Sequence, residues 1–208
     1  DTSSNYGENF KDKKIWGYAM GLSSVARKTF TTVETPLDLT SIGIETPWAA
    51  DDYNGYVYTQ KFMEAVNTNS LSSSQLMTEY EAWKTTNSVS GLENVSGWYI
   101  PSSRQLLDVM GMTLGYTGVE SEEPSSITKD EEFAGFLSSL MTTDKSWFGT
   151  HTSASNVMSS SVTESGQVMA VQTSFADGAE TISKAFGVSV NSKASTFAIR
   201  PVITIFSE

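Results

Sequence analysis

The stretch Gly97-Trp98-Tyr99-Ile100-Pro101-Ser102-Ser103-Arg104-Gln105 constrains the fold more tightly than any other part of the chain. Gly97 to Ile100 read as a short buried-type strand, and Pro101, which has no N–H to give to a ladder, stops it. Ser102 and Gln105 then stand at the S-x-x-Q spacing of a capping box, in which each side chain satisfies the other residue's backbone N–H at a helix start. Leu106, Leu107 and Met110 follow on the apolar face of that helix. A strand running directly into a helix is predicted here.

On either side of this junction the pattern changes in a definite order. Residues 1–14 are polar and without periodicity, which predicts a flexible lead-in, and Ile15 to Val25 mix β-formers with small residues as an opening strand. Thr29 to Thr40 fit a second strand or a loop. From Tyr58, the positions Phe62, Ala65 and Val66 recur at helical spacing, and a second helix carries Leu76, Tyr80 and Trp83 after a Ser72–Gln75 capping pair. Gly115 to Pro124 read as a loop. Thr128 and Glu131 then cap a helix bearing Phe133, Phe136, Leu137, Leu140 and Met141. The last 60 or so residues hold short β-rich runs, SWFGTHT, GQVMAVQT, KAFGVSV and FAIRPVITIF, separated by Ser, Asn, Asp and Gly clusters as in antiparallel strands, with Ile199, Ile203 and Ile205 on one face. Strand, helices and a β-rich C-terminal third, with no βαβ alternation, predict an α+β fold and one domain over residues 15–208.

Composition narrows the function. A net charge of −11 repels phosphate backbones and anionic lipid surfaces, so nucleic acid is not an expected partner. No run approaches the roughly 18 apolar residues of a membrane-spanning helix. The absence of cysteine removes disulfides, thiolate metal sites and Cys nucleophiles. Ser and Thr together fill 56 of 208 positions, a balance more usual in exported β-rich domains. The start at Asp1, without Met or a hydrophobic leader, fits a mature or trimmed segment joined to an anchor before it.

Three segments in order carry a resemblance. Gly97 to Leu106 resembles the G-W-[RY]-L-P-[ST]-x-x-E-L segment of the C-terminal domain of the Legionella collagen-like protein family. Ser146-Trp147-Phe148-Gly149-Thr150 and Ile199-Arg200-Pro201-Val202 are similar to that family's Y-W-S-S-T and V-R-[CP]-V segments. Asp52 to Thr59 resembles an upstream segment of versions of this domain in Bacteroidetes fimbrillin-type surface proteins. Here Gln105 stands for the usual Glu, Phe148-Gly149 for a Trp-Ser or Ser-Ser step, and the cysteines of some members are absent. The resemblance implies a C-type-lectin-like or formylglycine-generating-enzyme-like fold, in which N- and C-terminal strands pair and loops of the β-rich part form a variable surface.

No catalytic constellation is expected. His151 is the single histidine and has no G-x-S-x-G elbow to serve. The acidic clusters Asp51-Asp52, Glu120 to Glu123 and Asp130 to Glu132 lack the spacing of a calcium loop and read as solvated or helix N-terminal charge, so no metal or cofactor is expected. Of the triplets that calcium-dependent lectins use, the chain offers only Glu123-Pro124-Ser125. Trp98, Trp147 and Arg200 read as packing residues rather than ligands. The densest mixture of aromatic and polar groups lies at Trp48, Asp51, Asp52, Tyr53 and Asn54, continuing into Tyr56 and Tyr58, and it is the candidate ligand-binding loop. The resulting expectation is a secreted or cell-surface, non-catalytic binding or adhesion module for a carbohydrate or a protein on a neighbouring surface. The alternative is an accessory or tip subunit of a fimbria, whose partners are the other fimbrial subunits.

Overall fold

The computed structural model describes residues 1–21, 23–30, 39–44, 52–68, 74–111, 155–162, 168–173, 186–191 and 196–207. Among them are strands β1 (Ile15–Met20) and β2 (Val25–Thr29), helices α1 (Gly55–Asn67), α2 (Gln75–Thr86) and α3 (Ser103–Gly111), and strands β3 (Ser155–Val162), β4 (Val168–Thr173), β5 (Phe186–Asn191), β6 (Thr196–Ile199) and β7 (Val202–Phe206). The expected helix over Thr128 to Met141, the SWFGTHT strand and the Gly115 to Pro124 loop lie outside the described residues.

The strands form two sheets. β1 and β7 pair antiparallel, and a five-stranded sheet runs in the order β2-β6-β3-β4-β5. Within the larger sheet β3 pairs parallel with β6, through Val157 and Ala198, while the other pairs are antiparallel. The architecture is mixed α/β with three helices and two sheets among the described residues. This corrects the C-type-lectin-like α+β expectation with an antiparallel C-terminal third. The final apolar run divides at Pro201, which has no N–H for a continuous ladder, so β6 and β7 enter different sheets. Ile199, Ile203 and Ile205 therefore do not share one face of one strand. Ile199 and Ile203 are buried, whereas Ile205 is only partly covered.

The helices follow their apolar periodicity. α1 buries Tyr58, Phe62 and Ala65, and α2 buries Leu76, Met77 and Tyr80. These side chains meet Val25, Phe30, Phe197, Ile199 and Met158 in the main core, with α2 against β2 and α1 against β3. The cap of α2 is Ser74 rather than the expected Ser72, with its Oγ accepting from Met77 N at 3.2 Å. At α3 the predicted box is present: Gln105 N donates to Ser102 Oγ at 3.2 Å, and Ser102 N donates to Gln105 Oε1 at 3.1 Å.

A second, aromatic core lies under the N-terminal segment. Within residues 1–14, expected to be a flexible lead-in, Tyr6 and Phe10 pack onto this core while most of the other residues are exposed. Tyr6 is buried, Phe10 stacks on Phe206 with centroids 4.3 Å apart, and Ser207 N donates to Lys14 O at 2.8 Å. Two aromatic rings four residues apart supply enough apolar area to hold an otherwise polar stretch. No helix among the described residues is long and apolar enough to cross a membrane.

Candidate functional site

The expected binding loop begins where the Ser102–Gln105 box meets α1. Trp48 and Asp51 lie outside the described residues, as do Trp147, His151 and Glu123 to Ser125. Asp52, Tyr53 and Asn54 are brought together, in a polar knot beneath the surface. Asp52 is 5% exposed. Its Oδ1 accepts from Asn54 N at 3.0 Å and Asn54 Nδ2 at 2.9 Å, an Asx turn leading into α1, and its Oδ2 accepts from Ser161 Oγ at 2.9 Å. Burial raises the Asp52 pKa above 3.8, and the hydrogen bonds from Asn54 and Ser161 pull it back only in part.

Gln105 is the hub of this knot. Its Oε1 caps its own helix at Ser102 N and also accepts from Gly55 N of α1 at 3.2 Å, so one side chain satisfies a donor at the start of each of two helices. The two hydrogens on its Nε2 are shared among Tyr6 Oη at 2.8 Å, Tyr53 O at 3.1 Å and Asp1 Oδ2 at 3.1 Å. A glutamate could repeat the acceptor half but not the donor half, which gives the Gln at this position a physical reason. Gly55 is needed for the close approach: a Cβ there would stand 2.2 Å from Gln105 Oε1 and 2.4 Å from Ser102 N.

The serines of β3 complete the seam. Ser159 Oγ lies 2.8 Å from Ser103 Oγ and donates to Met169 O at 2.8 Å, and Ser103 N donates to Ser161 Oγ at 3.0 Å. Ser160 N donates to Pro101 O at 2.8 Å, whereas its buried Oγ has no hydrogen-bond partner among the described residues. At the rim, Tyr53 Oη donates to Asp108 at 2.8 Å, and Arg104 reaches both Asp108 at 2.9 Å and Tyr53 Oη at 3.2 Å. Every oxygen of Asp52 is occupied, and among the described residues no group of three or more His, Asp or Glu side chains could hold a metal. Chemically this seam fastens elements together. Arg200 has a similar position, buried with Nη1 3.5 Å from Gly21 O.

An open feature near the loop is a cleft of about 240 Å³ between α1, the end of α2 and the Ser96–Trp98 segment. Tyr56 and Gln60, one helical turn apart on α1, supply one wall, and Lys84, Ser88, Ser90, Ser96 and Trp98 the rest. The aromatic walls are held from behind. Tyr56 meets Tyr6 and Tyr99 at 5.5 and 5.8 Å between ring centroids, while Trp98 crosses Trp83 edge-on at 5.2 Å and donates Nε1 to Asn87 O at 2.6 Å. Lys84 is paired with Glu81 at 2.5 Å and sits over the Tyr80 ring. Ser88 and Ser90 bond to each other at 2.8 Å, and the exposed Gln60 amide makes no hydrogen bond among the described residues. Among the described residues, no carboxylate or histidine lines this cleft.

A larger hollow of about 540 Å³ beside Thr40–Gly43 and Lys61–Thr68 has no aromatic wall among the described residues, and the Lys61–Glu64 pair at 3.8 Å lies on its lining. Of the cleft residues, Tyr56 was visible in the sequence as part of the aromatic loop. Gln60 at i+4 was the only local signal for a second one, because Lys84 and Trp98 join the site through tertiary contact alone. Comparison of the chain with family models, curated proteins and solved structures finds no match.

Proposed function

We propose that this chain is a non-catalytic binding module of a secreted or cell-surface protein, engaging a glycan or a protein on a neighbouring surface. The observation that carries the reading is the cleft beside Tyr56 and Trp98. It is a mainly polar recess whose lining includes Tyr56, Trp98, the Gln60 amide and serine hydroxyls, groups that can orient a polar ligand through hydrogen bonds. The buried polar groups beside it are engaged in joining elements, which leaves them out of proton or group transfer. The hydroxyl-rich, acidic composition supports export and argues against nucleic acid. The test is a screen of the purified chain against a broad glycan array and a panel of cell-surface proteins, with and without a chelator. A reproducible hit that survives chelation is expected, and silence on both panels would overturn the reading.

A second reading, as a subunit of a fimbria, draws on β1. This strand pairs only with β7 among the described residues and carries Trp16, which is 74% exposed. Concentration-dependent assembly of the chain, abolished by Trp16→Ser, is the outcome it requires.

A further inference from the structure

We infer that the niche formed by Tyr6, Tyr18 and Gln105 is a receptor for a carboxylate group. Asp1 of the same chain fills it in cis, and an acidic side chain of a partner protein takes it when Asp1 swings away. The niche shares no residue with the Tyr56–Trp98 cleft and so adds a second, separate point of contact.

Donors from separate parts of the fold converge on one oxygen. Asp1 Oδ2 accepts from Tyr6 Oη at 2.5 Å and from Tyr18 Oη of β1 at 2.5 Å, and Gln105 Nε2 of α3 stands 3.1 Å away. Asn5 Nδ2 donates to the other oxygen, Oδ1, at 3.1 Å. The donors are held from behind. Tyr6 and Gln105 are buried, and Tyr6 Oη also meets Gln105 Nε2 at 2.8 Å and Tyr99 Oη at 3.3 Å. Burial keeps the Tyr6 and Tyr18 hydroxyls well above the ordinary tyrosine pKa, so both retain the proton they donate. These side chains carry no positive charge. A carboxylate brings the single negative charge that strengthens each bond, whereas a doubly charged phosphate or sulfate would find no cation here, on a chain of net charge −11. A glutamate at 105 would set a second carboxylate against the first, which glutamine avoids. Asp1 itself is exposed, while Tyr6 is fixed independently by the Tyr99 and Phe206 rings, with centroids at 5.9 and 5.2 Å. Asp1 can therefore leave with the donors in place, and an incoming carboxylate competes with it.

The test is a titration of the isotopically labelled parent and Asp1→Ala chains with N-acetyl-aspartate amide, and with N-acetyl-asparagine amide as the uncharged control, at constant ionic strength. The Gln105 side-chain amide is followed by NMR. In Asp1→Ala the aspartate probe alone is expected to shift that signal saturably, and the parent should need about 10-fold more of it, because Asp1 already fills the niche. Adding Tyr18→Phe to Asp1→Ala should weaken binding about 10-fold, the loss of one charge-assisted hydrogen bond. The contact between the Phe10 and Phe206 rings should persist in Asp1→Ala. Its loss would make Asp1 a pin for the segment and overturn the inference. Equal affinity in parent and variant, an equal shift with the asparagine probe, or no saturable Gln105 shift in Asp1→Ala would do the same. A hit on the glycan or protein panels without any Gln105 shift would overturn the niche while the binding-module reading stood.

Discussion

The Asp52–Gln105 seam and the Tyr56–Trp98 cleft are built from the same kinds of residue, and both adjoin the first turns of α1. Serines, tyrosines and an amide side chain line both. In the seam, the Gln105 side chain has five polar partners, two donors on its Oε1 and three acceptors within reach of the two Nε2 hydrogens, and the serine hydroxyls other than that of Ser160 are partnered. In the cleft, Ser88 and Ser90 bond to each other and Ser96 Oγ donates to Gly97 O and accepts from Thr204 N, while the exposed Gln60 amide makes no hydrogen bond among the described residues. The difference teaches that residue type does not separate a structural polar cluster from a binding surface. Burial does, because an unmade bond is expensive only where water cannot replace it.

That contrast can be broken by mutation, and the largest effect belongs to the hub. Gln105→Leu keeps the bulk but strips the partner from Gly55 N, Ser102 N and Tyr53 O, so urea unfolding should show a loss on the order of 4 kcal/mol, at about 1–3 kcal/mol for each buried group left unpaired. A loss under about 1 kcal/mol would mean that the seam is not what joins α1 to α3. Gly55→Ala is expected next, near 3 kcal/mol by the same measurement, since its Cβ would press on Ser102 N and the Pro101 carbonyl carbon, which are backbone and cannot step aside.

The third effect is one of sign. The folded state raises the Asp52 pKa, so between the unfolded value near 3.8 and the higher folded value the native chain binds more protons than the unfolded one. Stability from this group is therefore full below about 3.8 and is lost as pH rises through the folded pKa. Asp52→Asn removes the titration. Its stability relative to the parent should improve as pH is raised across that window, whatever constant offset the amide adds. A difference that is flat, or that falls with pH, would show that the carboxylate is not held against its own charge.

The smallest effect sharpens the other side of the comparison. Gln60→Ala and Ser90→Ala should leave the melting temperature where it is, within about 0.5 kcal/mol in stability terms, as exposed substitutions away from caps and cores do. A loss above about 1 kcal/mol in either would class the cleft with the seam.

Much of the local structure was legible beforehand. The S-x-x-Q spacing at Ser102 and Gln105 located a helix start to the residue, and Phe62, Ala65, Leu76 and Tyr80 marked buried faces. β3 was not legible. Ser159-Ser160-Ser161 reads as a separator between strands, yet all three are buried, and the ladder to β4 slips between Met158 and Val162 where they sit. Two of those hydroxyls are tolerable inside only because Met169 O, Ser103 and Asp52 receive or supply their bonds. The candidate region was legible only in part: Asp52 is turned inward by burial, Tyr56 lines the cleft, and Trp98, which reads as a packing residue, both packs on Trp83 and lines the same cleft.

By itself the sequence determined what depends on neighbours a few residues away: the caps, the helical faces, the stop at Pro101, and the acidic, cysteine-free character that excludes whole classes of chemistry. Only the tertiary structure decided the parallel pairing of β3 with β6, the descent of Tyr6 and Phe10 onto Phe206, and which serines are hidden and which face solvent. The physical reason is reach. A capping bond closes over three residues, whereas Gln105 finds its other partners 50 to 104 positions away, and nothing in the local pattern of either segment records that the other will be there.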